Sequence, residues 1–172
     1  MLNNYFLKKY IKLNNMRNNP NAPKNIILGV IILILIFGLF YFMMRQLKNR
    51  ETYAIINKNI RISLELAQND SARYLGLSDR KSLCQNCGML FVWPDYAIRD
   101  FVMRDMNFPL DIIFISDQKI VKIESNLLPE GSNPENIYSS DFPSNYVLEI
   151  NGGISDRFGI APGDEIIINL PK

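Results

Sequence analysis

From Ile26 to Met44 the chain reads IILGVIILILIFGLFYFMM, 19 consecutive residues without a charge. As an α-helix such a run spans about 28 Å, close to the hydrocarbon thickness of a bilayer. A helix apolar on every face must be hidden, and a small domain seldom has a core deep enough to hide it. A cleaved signal peptide would have a shorter apolar stretch followed by a small-residue cleavage site. Here the run ends Phe40-Tyr41-Phe42-Met43-Met44, with no such site and no cysteine behind it to carry a lipid. Tyr41 and Phe42 suit the interfacial belt. The expectation is an uncleaved signal anchor, one transmembrane helix over residues 26–44.

Charge divides the chain at the same place. Residues 1–44 hold Lys8, Lys9, Lys12, Arg17, Lys24 and no acid, whereas residues 45–172 hold 14 basic and 17 acidic side chains. The net charge of +2 therefore averages two unlike parts. The larger part lacks the basic face that a nucleic-acid partner requires, so none is expected. The first 25 residues contain eight Asn and little apolar periodicity, and read as a basic, disordered cytoplasmic tail. Lys and Arg are equally numerous near both ends of the apolar run. A long folded segment, however, is translocated largely regardless of charge, whereas a short tail obeys the positive-inside rule. The tail is thus expected in the cytoplasm and the C-terminal domain outside it.

Residues 45–58 read as a stalk or a helical extension of the anchor, and residues 59–172 as one extracytoplasmic β-rich domain. Ile60–Leu66 alternates apolar and polar, the period of a half-buried strand. Asn69-Asp70-Ser71 supplies N-cap chemistry for a short helix over 71–77. Met89–Trp93 and Ile112–Ile115 are apolar runs too short for helices, and 97–104 is a further candidate strand. Asp117-Gln118 forms a tight hairpin between 112–116 and 119–125, and 146–150 alternates again. Gly152-Gly153 leads into a short helix closed by Gly159, and 165–170 is the last strand. Seven short strands predict a mainly β fold, a small sandwich or partly closed barrel with one or two short helices. The 20 residues from Asn126 to Asn145, with three prolines, break the short-loop pattern and are a candidate lid or recognition loop.

Read in order, several stretches resemble the domain of unknown function 192 family. They are Gly76-Leu77-Ser78-Asp79-Arg80, Gly88-Met89-Leu90-Phe91-Val92, and the central Phe101-Val102-Met103-Arg104-Asp105-Met106-Asn107-Phe108-Pro109-Leu110-Asp111-Ile112. Tyr146-Val147-Leu148-Glu149 and Gly159-Ile160-Ala161-Pro162-Gly163-Asp164 follow. The resemblance covers residues 60–170 and implies a compact, mainly β domain behind an export signal or anchor. It implies no defined reaction. Val102, Arg104 and Asp105 stand where the family pattern has Trp, Lys and Asn, so a site built on that aromatic or that amide does not carry over.

The chain has no histidine. That removes Ser-His-Asp and Cys-His catalysis, His bases and His-ligated zinc. Cys84 and Cys87 form a C-x-x-C. A redox pair needs its first Cys at a helix N-terminus, whereas a strand follows here. A zinc knuckle supplies two of the four ligands that structural zinc wants. The leading reading is a small disulfide stapling a turn in an oxidising compartment, which a thiol count on unreduced protein tests. No metal or cofactor is expected.

Arg104, Asp105 and Asp111 are the first candidates for a site, with Arg80 and Glu149 behind them. Arg104 would hold an anionic or hydroxyl-rich ligand whose hydrogens Asp105 or Asp111 accept. The bland alternative is an Asp that caps backbone N–H groups after a turn, and an Arg–Asp pair that neutralises itself. The best reading is a cell-envelope binding or accessory module for a carbohydrate-like or anionic ligand. A carboxylate-dependent hydrolase using Asp105 and Asp111, and a structural protein-interaction domain, are the alternatives.

Overall fold

The computed structural model describes residues 6–12, 22–48 and 51–171. The chain separates into two compact units, Met1–Asn49 and Arg50–Lys172. In the first, residues 6–12 form helix α1 and Ala22–Lys48 forms α2. Phe6 and Tyr10 lie one helical turn apart on α1. Helix α2 starts before the apolar run, at Ala22. Among the described residues, α2 is the one helix long and apolar enough to cross a bilayer, over Ile26–Arg45.

The second unit is a curled, half-barrel sheet of seven strands. They are β1 (Tyr53–Ile56), β2 (Ile60–Ala67), β3 (Cys87–Ala97), β5 (Leu110–Ser116), β6 (Lys119–Leu127), β8 (Ser144–Asn151) and β9 (Ile166–Asn169). Their order is β6-β5-β8-β3-β2-β1-β9, antiparallel except for the β2–β3 pair. The two edge strands approach each other through a bridge between Lys119 and Glu165 and a 2.9 Å bond from Ile166 N to Gln118 O. This partial closure satisfies edge groups that would otherwise be left open. Short β4 (Asp100–Phe101) and β7 (Tyr138–Ser139) pair separately.

Three expectations change. The stalk or helical extension expected over 45–58 is shorter: α2 continues to Lys48, but Tyr53–Ile56 is a strand held between β2 and β9. The strand expected over 97–104 shrinks to Asp100–Phe101, which pairs with Tyr138–Ser139 inside the long loop. That loop is partly ordered by its own contacts, with Glu130 accepting from the backbone N–H of Glu135 and Asn136 and from the Asn136 side chain.

Alternation along the strands makes two cores. On β5, Ile113 and Ile115 join one cluster with Ile62, Leu90 and Leu148. Leu110, Ile112 and Phe114 join the other with Leu77, Phe91 and Val147. Both faces of β5 are covered, which is why its sequence is continuously apolar. Helix α3 (Asp70–Leu75) packs Ala72 against the second cluster. It begins where the Asn69 side chain accepts the Ala72 N–H at 2.8 Å and ends at Gly76. Helix α4 (Ile154–Phe158) closes at Gly159.

Candidate functional site: a cavity around Glu149

On β8, Tyr146, Leu148 and Ile150 face the first core, so the strand's period turns Val147 and Glu149 toward the second. There Glu149 pairs in register with Met89 on one side and Ile112 on the other, two apolar neighbours. It is 5% exposed, and its Oε2 is buried without a hydrogen-bond partner. Burial pushes the carboxyl up to about 8, against a smaller downward pull from the charge of Arg80. A neutral acid is thus the resting form at neutral pH.

Glu149 lies in the wall of a cavity of about 360 Å³. Phe91, Trp93 and Phe101 supply an aromatic side. Phe101 meets Phe91 edge-on at 4.9 Å and Trp93 at 6.3 Å, so the three rings hold one another in place. Strand β4 brings Phe101 here, through its pairing with β7. Arg73 and Tyr74 come from α3 and Arg104 from the segment after β4. Arg104 lies 4.0 Å over the Tyr74 ring and donates to the Tyr74 carbonyl at 2.5 Å. Arg73 donates to Asp70 and to the carbonyls of Gln68 and Val92.

Gly76 ends α3 beside the carboxyl. Its φ is +52°, and a Cβ there would meet Phe91 Cζ at 3.4 Å and Glu149 Oε2 at 3.9 Å. Gly76→Ala should therefore lose about 1–3 kcal/mol in a urea melt through the positive φ. The same methyl narrows the cavity beside Glu149.

Of the residues singled out in the sequence, Arg104 and Glu149 meet at this cavity. Asp105 does not line it. It sits at a positive-φ turn, its carboxylate 3.9 Å from Arg104 Nε. Asp111 is wholly buried elsewhere and accepts backbone N–H groups from Asn126, Gly153 and Ser155. The two carboxylates proposed for hydrolysis are thus engaged in separate tasks. Arg80 is tied to both oxygens of Glu65 at 2.8 Å, whose carboxyl it holds below its ordinary value by hydrogen bonding. Cys84 and Cys87 are joined as a disulfide, with Cα atoms 5.2 Å apart, and neither lines the cavity. No residue of the candidate lid 126–145 lines it either. Among the described residues, no group of three or more acids or cysteines is placed to hold a metal ion.

Sequence reasoning passed over Arg73, Tyr74 and Trp93. Trp93 had a signal, as the chain's single tryptophan at the end of an apolar run. Arg73 and Tyr74 had none, because an exposed face of a short helix looks the same whether or not a cavity opens beside it.

A curled half-barrel with a carboxyl-bearing cavity between its sheet and α3 defines a small, mainly β domain with a concave site. The chain belongs to the DUF192 family, described as an uncharacterized ACR, whose model matches residues 53–168. It is similar in structure to a Sinorhizobium meliloti 1021 protein described as a candidate transcription regulator. That likeness covers 69% of this chain and 93% of that one, at 31% identity and a TM-score of 0.64. A Novosphingobium aromaticivorans DSM 12444 protein of unknown function is also similar. Here the likeness covers 67% of this chain and 83% of that one, at 32% identity and a TM-score of 0.62. No curated protein matches the sequence.

Proposed function

We propose that this protein is a membrane-anchored binding module of the cell envelope whose ligand, a small hydroxyl-rich molecule, occupies the Glu149 cavity. The buried, unpartnered Glu149 Oε2 carries this reading. A polar atom so placed costs free energy unless something supplies its missing bond, and the cavity wall gives that something room. Aromatic rings on one side and polar groups on the other match the general make-up of small-molecule sites. A hydrolase built on Asp105 and Asp111 has no such support, since the pair does not share the cavity.

Trp93 is the chain's one tryptophan and lines the cavity, so its emission reports occupancy. Saturable changes on adding polyols or envelope saccharide fragments to the detergent-solubilised full chain are expected. A panel leaving Trp93 unmoved, with no heat of binding, contradicts the reading.

The location rests on the apolar helix over Ile26–Arg45 and on the acid-free basic tail before it. A protease added to intact cells is expected to degrade the part from residue 60 onward. Protection of that part until lysis reverses the topology.

A further inference from the structure

We infer that the ligand of this cavity carries a protonated amine, which docks on the Glu149 carboxyl. The inference rests on the proposed binding role and names the chemistry of the group that completes the site.

Around Glu149, strands β3 and β5 offer only the apolar Met89 and Ile112 in register. The ionisable groups that line the cavity with it are Asp70, Arg73 and Tyr74 from α3 and Asp100 and Arg104 from the β4 segment, while the charge of Arg80 acts on it from outside the lining. Each arginine is already committed: Arg73 to Asp70 and two carbonyls, Arg80 to both oxygens of Glu65, Arg104 to the Tyr74 carbonyl. None donates to Glu149 among the described residues. Asp100 is exposed at the cavity and makes no ion pair among the described residues. The site therefore has a carboxyl in want of a cation, and an ammonium brings three donors and no acceptor. A hydroxyl ligand would also fill the bond, but without the added strength of a charge-assisted contact.

Protonation makes the distinction measurable. Glu149 is held mostly neutral at pH 7 by burial, so pairing with an ammonium must expel its proton. Affinity for a cationic amine then rises with pH from 6 toward 8 and levels off above. A neutral ligand shows no such rise.

The test uses a matched pair, glucamine and sorbitol, which differ by one ammonium in place of one hydroxyl. Both are titrated calorimetrically into the detergent-solubilised full chain at pH 6, 7 and 8, in two buffers of unlike ionisation heat. Glucamine is expected to bind on the order of 10–100-fold tighter than sorbitol. It should tighten with pH and release close to one proton at pH 7. Glu149→Gln, whose fold is verified by its thermal melt, should erase the preference. Equal binding of the two without proton release overturns the amine inference and leaves the cavity reading standing. A Gln variant that keeps the preference also overturns it. Silence from both ligands, in heat and in Trp93 emission, overturns the inference together with the polyol reading beneath it.

Discussion

Replacing Asp111 by alanine is expected to remove roughly 3–5 kcal/mol of stability from the β domain, a large share of what such a domain has. Asp111 opens β5 and is fully buried. Its Oδ1 accepts the N–H groups of Asn126 at 2.7 Å and Gly153 at 2.8 Å, and its Oδ2 accepts that of Ser155 at 2.6 Å. Asn126 has a positive φ at the end of β6, and Gly153 precedes α4, which has no side-chain cap of its own. One carboxylate thus fastens the β6 turn and caps α4, both on the strand that runs through the middle of both cores. Alanine would leave three donors without a partner, each of which costs more than an exposed one. Urea melts of the variant should show a lower midpoint, and Asp111→Asn, which keeps one acceptor oxygen, should recover part of it. Protein that remains folded should bind cavity ligands normally. Unchanged melting with binding lost would instead make Asp111 part of the site.

Glu149→Gln is expected to act in the opposite direction and to depend on pH. The folded-state value of about 8 lies above the 4.5 of an unperturbed glutamate. The folded state therefore holds this proton more tightly than the unfolded chain does. The resulting stability is fully present below about 4.5 and is lost as pH rises through about 8. By pH 7 the wild type should have given up roughly 3 kcal/mol relative to acid conditions through this group alone. Glutamine does not titrate, so the variant should gain on the wild type by about that amount between pH 4 and pH 7. Parallel urea melts of the two proteins across that range measure it directly. Parallel stability curves would mean that Glu149 is solvated or partnered in the folded protein.

Much of the architecture was legible because the strands carry it locally. Residues 60–66 and 146–150 alternate, and 112–115 is continuously apolar because both faces of β5 are buried. Asn69 and Gly159 announced the ends of their helices. Strand β1 escaped, since Tyr-Ala-Ile-Ile is only four residues long and follows a polar, charged stretch. Strands β4 and β7 are two residues each and exist through pairing with each other, which no local pattern encodes.

The candidate site was less readable for a related reason. Glu149 in an alternating strand looks like the polar member that faces water. It is buried because α3 and the β4 segment close over that face of the sheet, a tertiary fact. Asp111 and Arg104 stood out in the family motif, yet only Arg104 reaches the cavity. Asp111 accepts backbone N–H groups from a buried position away from the cavity.

Glu149 is a buried acid that accepts no hydrogen bond from a cation among the described residues. Carbon-detected NMR of the side-chain carboxyl, assigned by its disappearance in Glu149→Gln, follows that group alone through a pH titration. A midpoint near 8 in the free protein, displaced downward when an amine ligand fills the cavity, is the predicted result. A midpoint in the ordinary carboxylate range, unmoved by any ligand, would contradict it.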